Sequence, residues 1–225
     1  MELVEVKNVT KRLKQPRVLS YDEFWTLLSF LSDPYRTMVL VGQCLGLRVS
    51  EVMALRWSDF DFANLTVRVQ RGIVHGRVDE VKTEYSNDDL PLDSDFARVM
   101  LNWKARCPAT PESWVFPNSE TGKPYWQDGV RKDYIQPAGL KAGLGRNIGW
   151  HTFRHTYRTW LDSTGAPVSM QRDLMRHASI QTTMNVYGRA TMSEAKRQAN
   201  SKVVRMALKS LMIVKNEGEN EGFSA

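Results

Sequence analysis

The residues with the clearest chemical potential lie in one ten-residue stretch, HTFRHTYRTW at 151–160. In a helix, positions three and four apart share a face, so His151, Arg154 and His155 would lie together. The cluster has three interpretations: a solvated basic face with a core histidine, a metal site on the histidine pair, or an anion site suited to phosphate. The metal interpretation lacks the glutamate of H-E-x-x-H and any nearby carboxylate cluster. The stretch alone leaves the first and third interpretations open.

A second face of the same helix would be apolar. Phe153, Tyr157 and Trp160 recur at helical spacing beside the cationic positions. Such a pattern predicts a half-buried helix whose apolar side is fixed in a core. The cationic residues near its start would then be held by the rest of the fold, which must bring their partners to them.

Composition narrows the class of partner. The chain has 225 residues, 42% of them hydrophobic, and a net charge of +6. The positive charge favours an anionic partner, nucleic acid first, although part of it can be ordinary solvated surface. Cys44 and Cys107 form neither a disulfide framework nor a metal-ligand spacing, so we expect a reducing, cytoplasmic setting. No apolar run has the length of a membrane span, and no glycine-rich nucleotide loop is present, so no cofactor is predicted.

The elements that must position these residues are mostly helices. The sequence SYDE, with Ser20 and Glu23, is a capping box that predicts the start of the first helix. Gly46 is expected to end the second helix, and Ser94 to cap a later one. Helical patterns are predicted at 24–32, 35–45, 48–57, 95–105, 129–142, 151–163, 169–176, 180–187 and 194–213.

The hydrophobic period changes after the third helix. LTVRVQ at 65–70 alternates as a strand, RVDEVKT at 77–83 predicts a second, and DDLPL at 88–92 a short third. The predicted fold class is therefore α+β, mainly α-helical with a small three-stranded antiparallel sheet.

Five separated pieces carry residues suited to phosphate chemistry. Taken singly, each has an ordinary explanation: a helix-end arginine, a solvated turn lysine, a core histidine or an amphipathic tyrosine. Their order along the chain is the stronger observation. The pieces are GLRVSEV with Arg48, VKTEYSNDDLPL with Lys82, the stretch with His151 and Arg154, MRHASIQTTM with His177, and NVYGR with Tyr187.

This order resembles the catalytic domain of the tyrosine recombinase, or phage integrase, family. That family carries Arg, Lys, His-x-x-Arg, His or Trp, and Tyr in the same sequence, and GLRVSEV, HTFRHT and HASIQTTMNVY are similar to its motifs. The resemblance covers about residues 18–213. It divides the chain into a linker or arm at 1–17, a catalytic domain at 18–213 and a disordered tail at 214–225.

The resemblance implies a role for each residue. Arg48, Arg154 and His177 would donate hydrogen bonds to the non-bridging phosphate oxygens, and Tyr187 would attack the phosphorus. His151 would serve as the base, directly or through water, and Lys82 as the acid for the leaving 5′ oxygen. The product would be a 3′-phosphotyrosine, formed and resealed without metal or ATP. Two residues would have supporting roles, with Glu51 orienting Arg48 and His155 helping to hold the cluster.

The chain departs from the family pattern at Arg176, where the family usually has glycine before the second histidine. The added charge is expected either to touch DNA or to point to solvent. An upstream core-binding domain, which in the family completes a clamp on DNA, has no room in 225 residues, so we expect a catalytic fragment or a shortened relative.

Double-stranded DNA is the expected partner, with other protomers in a synaptic complex. The C-terminal helix would contact a neighbouring protomer or pack within its own chain, and the sequence leaves both open. The rival functions are DNA relaxation of the type IB topoisomerase kind, a non-catalytic DNA-binding module of the same fold, and, as a weak third, a metal nuclease.

Overall fold

The computed structural model describes residues 16–74, 76–80, 88–110, 112–176 and 192–220. In these ranges most of the chain is helical. The helices are α1 (Tyr21–Ser29), α2 (Tyr35–Cys44), α3 (Val49–Met53), α4 (Ser94–Lys104), α5 (Gln127–Val130), α6 (Gln136–Lys141), α7 (Trp150–Ser163), α8 (Val168–Met175) and α9 (Met192–Asn220). A 3₁₀ turn spans Trp57–Asp59, and a π-helical turn, Arg131–Ile135, joins α5 to α6.

The predicted capping box starts α1. The Ser20 hydroxyl accepts a hydrogen bond from the Glu23 N–H at 3.2 Å, and Glu23 Oε2 accepts one from the Ser20 N–H at 2.8 Å. These bonds satisfy two N–H groups that a helix start leaves without partners. The predicted start of α1 is confirmed.

The core is centred on α2, which packs against α7 and α9. Almost every side chain of α2 is buried, as expected for a helix surrounded by other elements. The aromatic face predicted for 151–160 is confirmed, because Phe153, Tyr157 and Trp160 are all buried. Gly46, with φ +60°, turns the chain after α2 and leads directly into Arg48 and α3.

The strands form a three-stranded antiparallel sheet and a separate hairpin. The sheet has the order β1 (Phe60–Asp61), β2 (Thr66–Val69), β5 (Asp88–Pro91), with Val67 opposite both Phe60 and Leu90. The hairpin pairs β3 (Arg71–Val74) with β4 (Arg77–Glu80). The predicted fold class is confirmed. The strands of the sheet differ from those predicted, because the predicted second strand, β4, pairs with β3 and does not join β2.

A buried carboxylate explains why the chain leaves the sheet after β2. Gln70 Nε2 donates to Asp59 Oδ1 at 2.8 Å, and Arg71 pairs with the same oxygen. These contacts anchor the exit of β2 and let β3 pack against α3. Two short strands, β1 and β3, went unpredicted because neither has an alternating run long enough to read.

Other boundaries also differ from prediction. Asp93, not Ser94, caps α4, since its carboxylate accepts from the N–H groups of Asp95 at 2.8 Å and Phe96 at 3.3 Å. The helix α9 continues to Asn220, past the start of the tail predicted at 214–225. The predicted helix at 180–187 and most of the predicted arm at 1–17 lie outside the described residues.

Among the residues that the structure describes, none of the helices combines the length and apolar character needed to cross a membrane.

Candidate active site

The first turn of α7 presents His151 to solvent. Gly149 precedes the helix in an extended conformation, and its N–H donates to Thr152 Oγ1 at 3.2 Å, which fixes the helix start. His151 is exposed and His155 is half-buried, with ring centroids 6.4 Å apart. An exposed imidazole at a helix start can reach a ligand that approaches from outside the protein.

Arg154 lies on the inward side of the same turn and is 7% exposed. Its two terminal nitrogens donate to the backbone oxygens of Gly46 and Met175. These oxygens belong to the turn before α3 and to the last residue of α8. One guanidinium therefore joins three elements that are distant in sequence, and these bonds use two of its five N–H groups.

Arg48 stands at the start of α3 beside Glu51. Glu51 Oε2 accepts from the Arg48 N–H at 2.7 Å, and Oε1 accepts from Nη1 at 3.0 Å. A longer contact, 3.4 Å, runs from Arg48 Nη2 to the Arg176 backbone oxygen. The contact predicted between Glu51 and Arg48 is therefore present. The Arg48 side chain remains 41% exposed, so one side of the guanidinium faces outward.

Burial and neighbouring charges shift the pKa values of two of these residues, Arg154 and Glu51. Burial, reinforced by the neighbouring charge of Arg48, lowers the pKa of Arg154 to about 10, and Glu51 opposes this change. At neutral pH Arg154 still carries its charge. Burial by itself would raise the pKa of Glu51, but the Arg176 charge and the Arg48 N–H outweigh it and hold that pKa below its ordinary value.

Arg176 completes this group, which we call the arginine cluster: Arg48, Glu51, Arg154 and Arg176. Its side chain is 1% exposed, and its Nη2 lies 2.5 Å from Glu51 Oε1. The prediction that Arg176 faces solvent or touches DNA is wrong for this structure, because the side chain turns inward at the left-handed end of α8, φ 49°. Sequence gave no signal of this direction, since a residue that ends a helix can turn either way.

Two further supports were missed by sequence reasoning. The Tyr157 ring packs against Gly46, and its hydroxyl donates to Asn200 Oδ1 at 2.8 Å. Asn200 Nδ2 in turn donates to the Pro91 backbone oxygen at 3.1 Å. This chain of contacts ties α7 and α9 to β5, beneath the arginine cluster. Tyr157 was recognised only as an apolar residue, and Asn200 carried no motif.

Three predicted residues lie outside the described residues: Lys82, His177 and Tyr187. Their described neighbours in sequence can be located. Lys82 follows β4 by two residues, and His177 directly follows Arg176 of the arginine cluster. Their proposed roles stay predictions.

The order and placement of these residues can now be compared with known proteins. A model of the phage integrase family matches residues 17–194. The chain belongs to the phage integrase family.

Curated relatives of this integrase-family chain include two bacterial proteins. A tyrosine recombinase of Pseudothermotoga lettingae is 28% identical over 180 residues, which is 79% of this chain and 58% of that protein. A putative integrase/recombinase of Sinorhizobium fredii is 29% identical over 182 residues, 80% of this chain and 67% of that protein. The chain thus spans 58% of the length of the first relative and 67% of the length of the second.

Solved structures share the integrase fold. The Tn1549 transposon integrase in complex with transposon right end DNA gives a TM-score of 0.66 at 22% identity, covering 84% of this chain and 67% of that one. The integrase from mycobacterium phage Brujita gives 0.63 at 22% identity, covering 86% and 60%. At these identities the likeness establishes the fold.

A cleft of about 400 Å³ opens beside His151 in this member of the family. Arg131 and Arg146 line it, and Val49, the residue after Arg48, lies at its edge. Asp128 accepts from Arg131 Nε at 3.3 Å and offsets part of the charge. The cleft therefore extends a basic surface from the exposed imidazole toward α5 and α6.

Proposed function

We propose that this chain is the catalytic domain of a site-specific DNA recombinase or integrase. It cleaves and rejoins DNA strands through a 3′-phosphotyrosyl intermediate and needs neither metal nor ATP. Double-stranded DNA is the substrate, and further protomers join it in a synaptic complex.

One observation carries the proposal. Arg48 and Arg154 come from positions far apart in sequence, yet both are hydrogen-bonded to the carbonyl end of α8. Both are thereby fixed in place before any ligand arrives. Preorganised guanidinium donors suit a phosphate whose non-bridging oxygens gain charge in the transition state.

The proposed first step balances as follows. The Tyr187 oxygen attacks the phosphorus and gives its proton to His151, directly or through water. The bond from phosphorus to the 5′ oxygen breaks, and that oxygen takes a proton from Lys82. The phosphotyrosyl bond replaces one phosphate ester by another, so a free 5′-hydroxyl can reverse the step. Arg48, Arg154 and His177 stabilise the charge on the non-bridging oxygens.

The Tyr187→Phe variant tests the nucleophile. The parent chain is incubated with a nicked duplex whose short 5′ fragment diffuses away after cleavage, and covalent protein–DNA product is resolved on a denaturing gel. We expect an adduct from the parent and none from Tyr187→Phe, with equal DNA binding. Tyr134→Phe, at an exposed tyrosine distant from the arginine cluster in sequence, is the matched control and should form the adduct. An adduct in Tyr187→Phe would contradict the assignment.

Three companion measurements separate the rival functions. Relaxation of supercoiled DNA with no joining of different ends identifies a topoisomerase. Binding with no adduct in the parent identifies a non-catalytic module. Cleavage that EDTA abolishes identifies a metal nuclease.

A further inference from the structure

Arg176 is a buried charge in an unfavourable backbone conformation. It ends α8 with φ 49° and ψ 52°, the left-handed region that glycine adopts with less strain. None of its three guanidinium nitrogens, Nε, Nη1 or Nη2, makes a hydrogen bond among the described residues. Removing water from a guanidinium without full replacement of its hydrogen bonds is destabilising. A glycine at 176 would relieve the backbone strain, but it would leave the buried Glu51 carboxylate with one ion-pair partner fewer.

The contacts of Arg176 show what the charge does. Its Nη2 lies 2.5 Å from Glu51 Oε1, the same oxygen that accepts from Arg48 at 3.0 Å. Glu51 is 3% exposed, so its carboxylate is balanced almost wholly by these neighbours. Without Arg176, Arg48 would be the only ion-pair partner of the Glu51 carboxylate among the described residues.

The charge balance of the arginine cluster follows from its members. Three guanidinium groups and one carboxylate give it a net charge of +2, whereas a glycine at 176 would leave +1. Arg154 contacts only carbonyl oxygens through its described hydrogen bonds, and Arg48 is the one guanidinium of the three that is substantially exposed. Arg176 itself does not reach the surface.

We propose that Arg176 is a positioning residue that neutralises Glu51 from inside the protein, so that the charges of Arg48 and Arg154 act on the DNA phosphate and are not offset by Glu51. Its backbone adds to this effect, because the Arg176 oxygen accepts from Arg48 directly ahead of His177. The inference rests on the proposed recombinase function. It assigns to Arg176 an action through Glu51 and Arg48 and no contact with DNA.

The test compares three substitutions at 176 with a matched control. Arg176→Met removes the charge and keeps a long side chain, Arg176→Gly also relieves the backbone, and Arg176→Lys keeps the charge. Arg172→Met is the control, since Arg172 lies on the same helix, is 33% exposed, and pairs with Asp173, which keeps Lys196 at 3.2 Å as a second partner. Single-turnover cleavage of the nicked duplex, DNA binding and thermal melting are measured for each.

We expect Arg176→Met and Arg176→Gly to cleave at least about tenfold more slowly, with DNA binding nearly unchanged. Arg176→Gly relieves the backbone strain and should melt at a higher temperature than Arg176→Met, yet cleave no faster, whereas a purely structural role would make the rate follow the stability. Arg176→Lys should recover most of the rate, and Arg172→Met should match the parent. Parental cleavage in Arg176→Met, or equal losses in Arg176→Met and Arg176→Lys, would overturn the proposal.

Two further measurements locate the effect at Glu51. In a Glu51→Gln background, Arg176→Met should slow cleavage much less than it does in the parent, because the carboxylate it balances is gone. The charged groups around Glu51 in the described structure are Arg48, Arg176 and, farther away, Arg154. Losing Arg176 leaves burial less opposed and raises the pKa of Glu51. As the pH falls and Glu51 takes up a proton, the rate deficit of Arg176→Met relative to the parent should therefore shrink.

The last measurement needs no DNA. Carboxyl NMR of the free protein should show a higher pKa for Glu51 in Arg176→Met than in the parent, and an unchanged pKa overturns the proposal. A parent that forms no covalent adduct overturns the recombinase function instead, and the NMR result then still decides whether Arg176 keeps Glu51 ionised.

Discussion

At the scale of single residues, Arg154 carries a positive charge and also joins two distant segments by hydrogen bonds. Its planar fork spans the Gly46 and Met175 carbonyls at once, a geometry that a lysine ammonium does not reproduce. Arg154→Lys keeps the charge but leaves a buried carbonyl without its partner. The residue therefore links the stability of the fold to the placement of the phosphate donors.

We predict that Arg154→Lys slows single-turnover cleavage by about 10²–10³, the usual effect of losing one donor to transition-state charge. It should also lower the free energy of unfolding by about 1–3 kcal/mol through the unpaired carbonyl. Arg158→Lys, at an exposed position one turn later on α7, is the control for both measurements. Near-parental cleavage by Arg154→Lys would remove the fork from the proposed mechanism.

Gly46 is the second residue whose role can be measured, because it allows the Tyr157 ring to pack closely against the backbone. A Cβ at this position would lie 2.6 Å from Tyr157 Cε1, and φ is +60°. We predict that Gly46→Ala destabilises the protein by about 1–2 kcal/mol from backbone strain and about 1–3 kcal/mol more from the clash. Gly143→Ala has the same kind of backbone, φ +72°, with no atom within 4 Å of the added Cβ. Equal melting temperatures for the two variants would contradict the close contact with Tyr157.

Sequence identified residues whose role depends on their type and spacing. Arg48, Glu51 and Arg154 were found because their motifs are short and local. The direction of Arg176 was predicted wrongly, and Asn200 and the support given by Tyr157 were missed, because each of these residues acts through a partner distant in sequence. The Tyr157 hydroxyl meets Asn200 from another helix, and no local pattern records that meeting.

At the scale of elements, α9 answers a question that the sequence left open. The buried residues between Ala199 and Leu208 pack against this chain's own helices and β5. This part of the C-terminal helix is therefore intramolecular. The apolar side chains that suggested contact with a neighbouring protomer are, up to Leu208, buried in the protein's own core.

We predict that Leu208→Ala lowers the free energy of unfolding by about 2–5 kcal/mol, the usual cost of a large cavity in a core. Leu208 is 2% exposed, whereas Leu101, on α4, is 44% exposed, and Leu101→Ala should change stability little. The loss should be the same at all protein concentrations. A melting temperature that rises with concentration in the parent alone would show that Leu208 is buried between protomers instead.

The small strands were the elements least accessible to prediction. β2 and β5 were recognised by alternation, but the exit of β2 is set by the buried Asp59, a contact that hydrophobic pattern does not encode. Helices long enough to show a periodic face, such as α2 and α7, were predicted nearly to their ends. Pattern therefore predicted the elements, and buried polar contacts decided their pairing.

At the scale of the whole molecule, a described basic cleft adjoins the arginine cluster, since Val49, the residue after Arg48, is among its lining residues. The cleft beside His151, with Arg131 and Arg146, is open to solvent and can meet one face of a duplex. A protein that contacts one face neutralises fewer phosphates than a clamp does. The net charge of +6 sets only the sign of this interaction.

We predict weak DNA binding by this chain, with a shallow dependence on salt. Log affinity falls with log salt by about 0.9 for each phosphate neutralised. Fusing an upstream DNA-contacting domain should steepen that slope and improve recombination, while cleavage by this chain alone persists. A salt titration of binding, run beside a recombination assay, measures both. Tight binding and efficient recombination by the 225 residues alone would contradict the prediction.

The arginine cluster is assembled from segments that leave the ribosome at different times. Arg48 precedes its contact Arg176 by 128 residues, and Gly46 precedes Arg154 by 108. At about 5–20 residues per second, a ribosome needs roughly 6–26 seconds to cover the longer interval. Asn200, which secures Tyr157 beneath the cluster, is made later still. A chain that has not been translated past Asn200 therefore holds these arginines without their full set of partners, and the proposed phosphate site is not yet assembled.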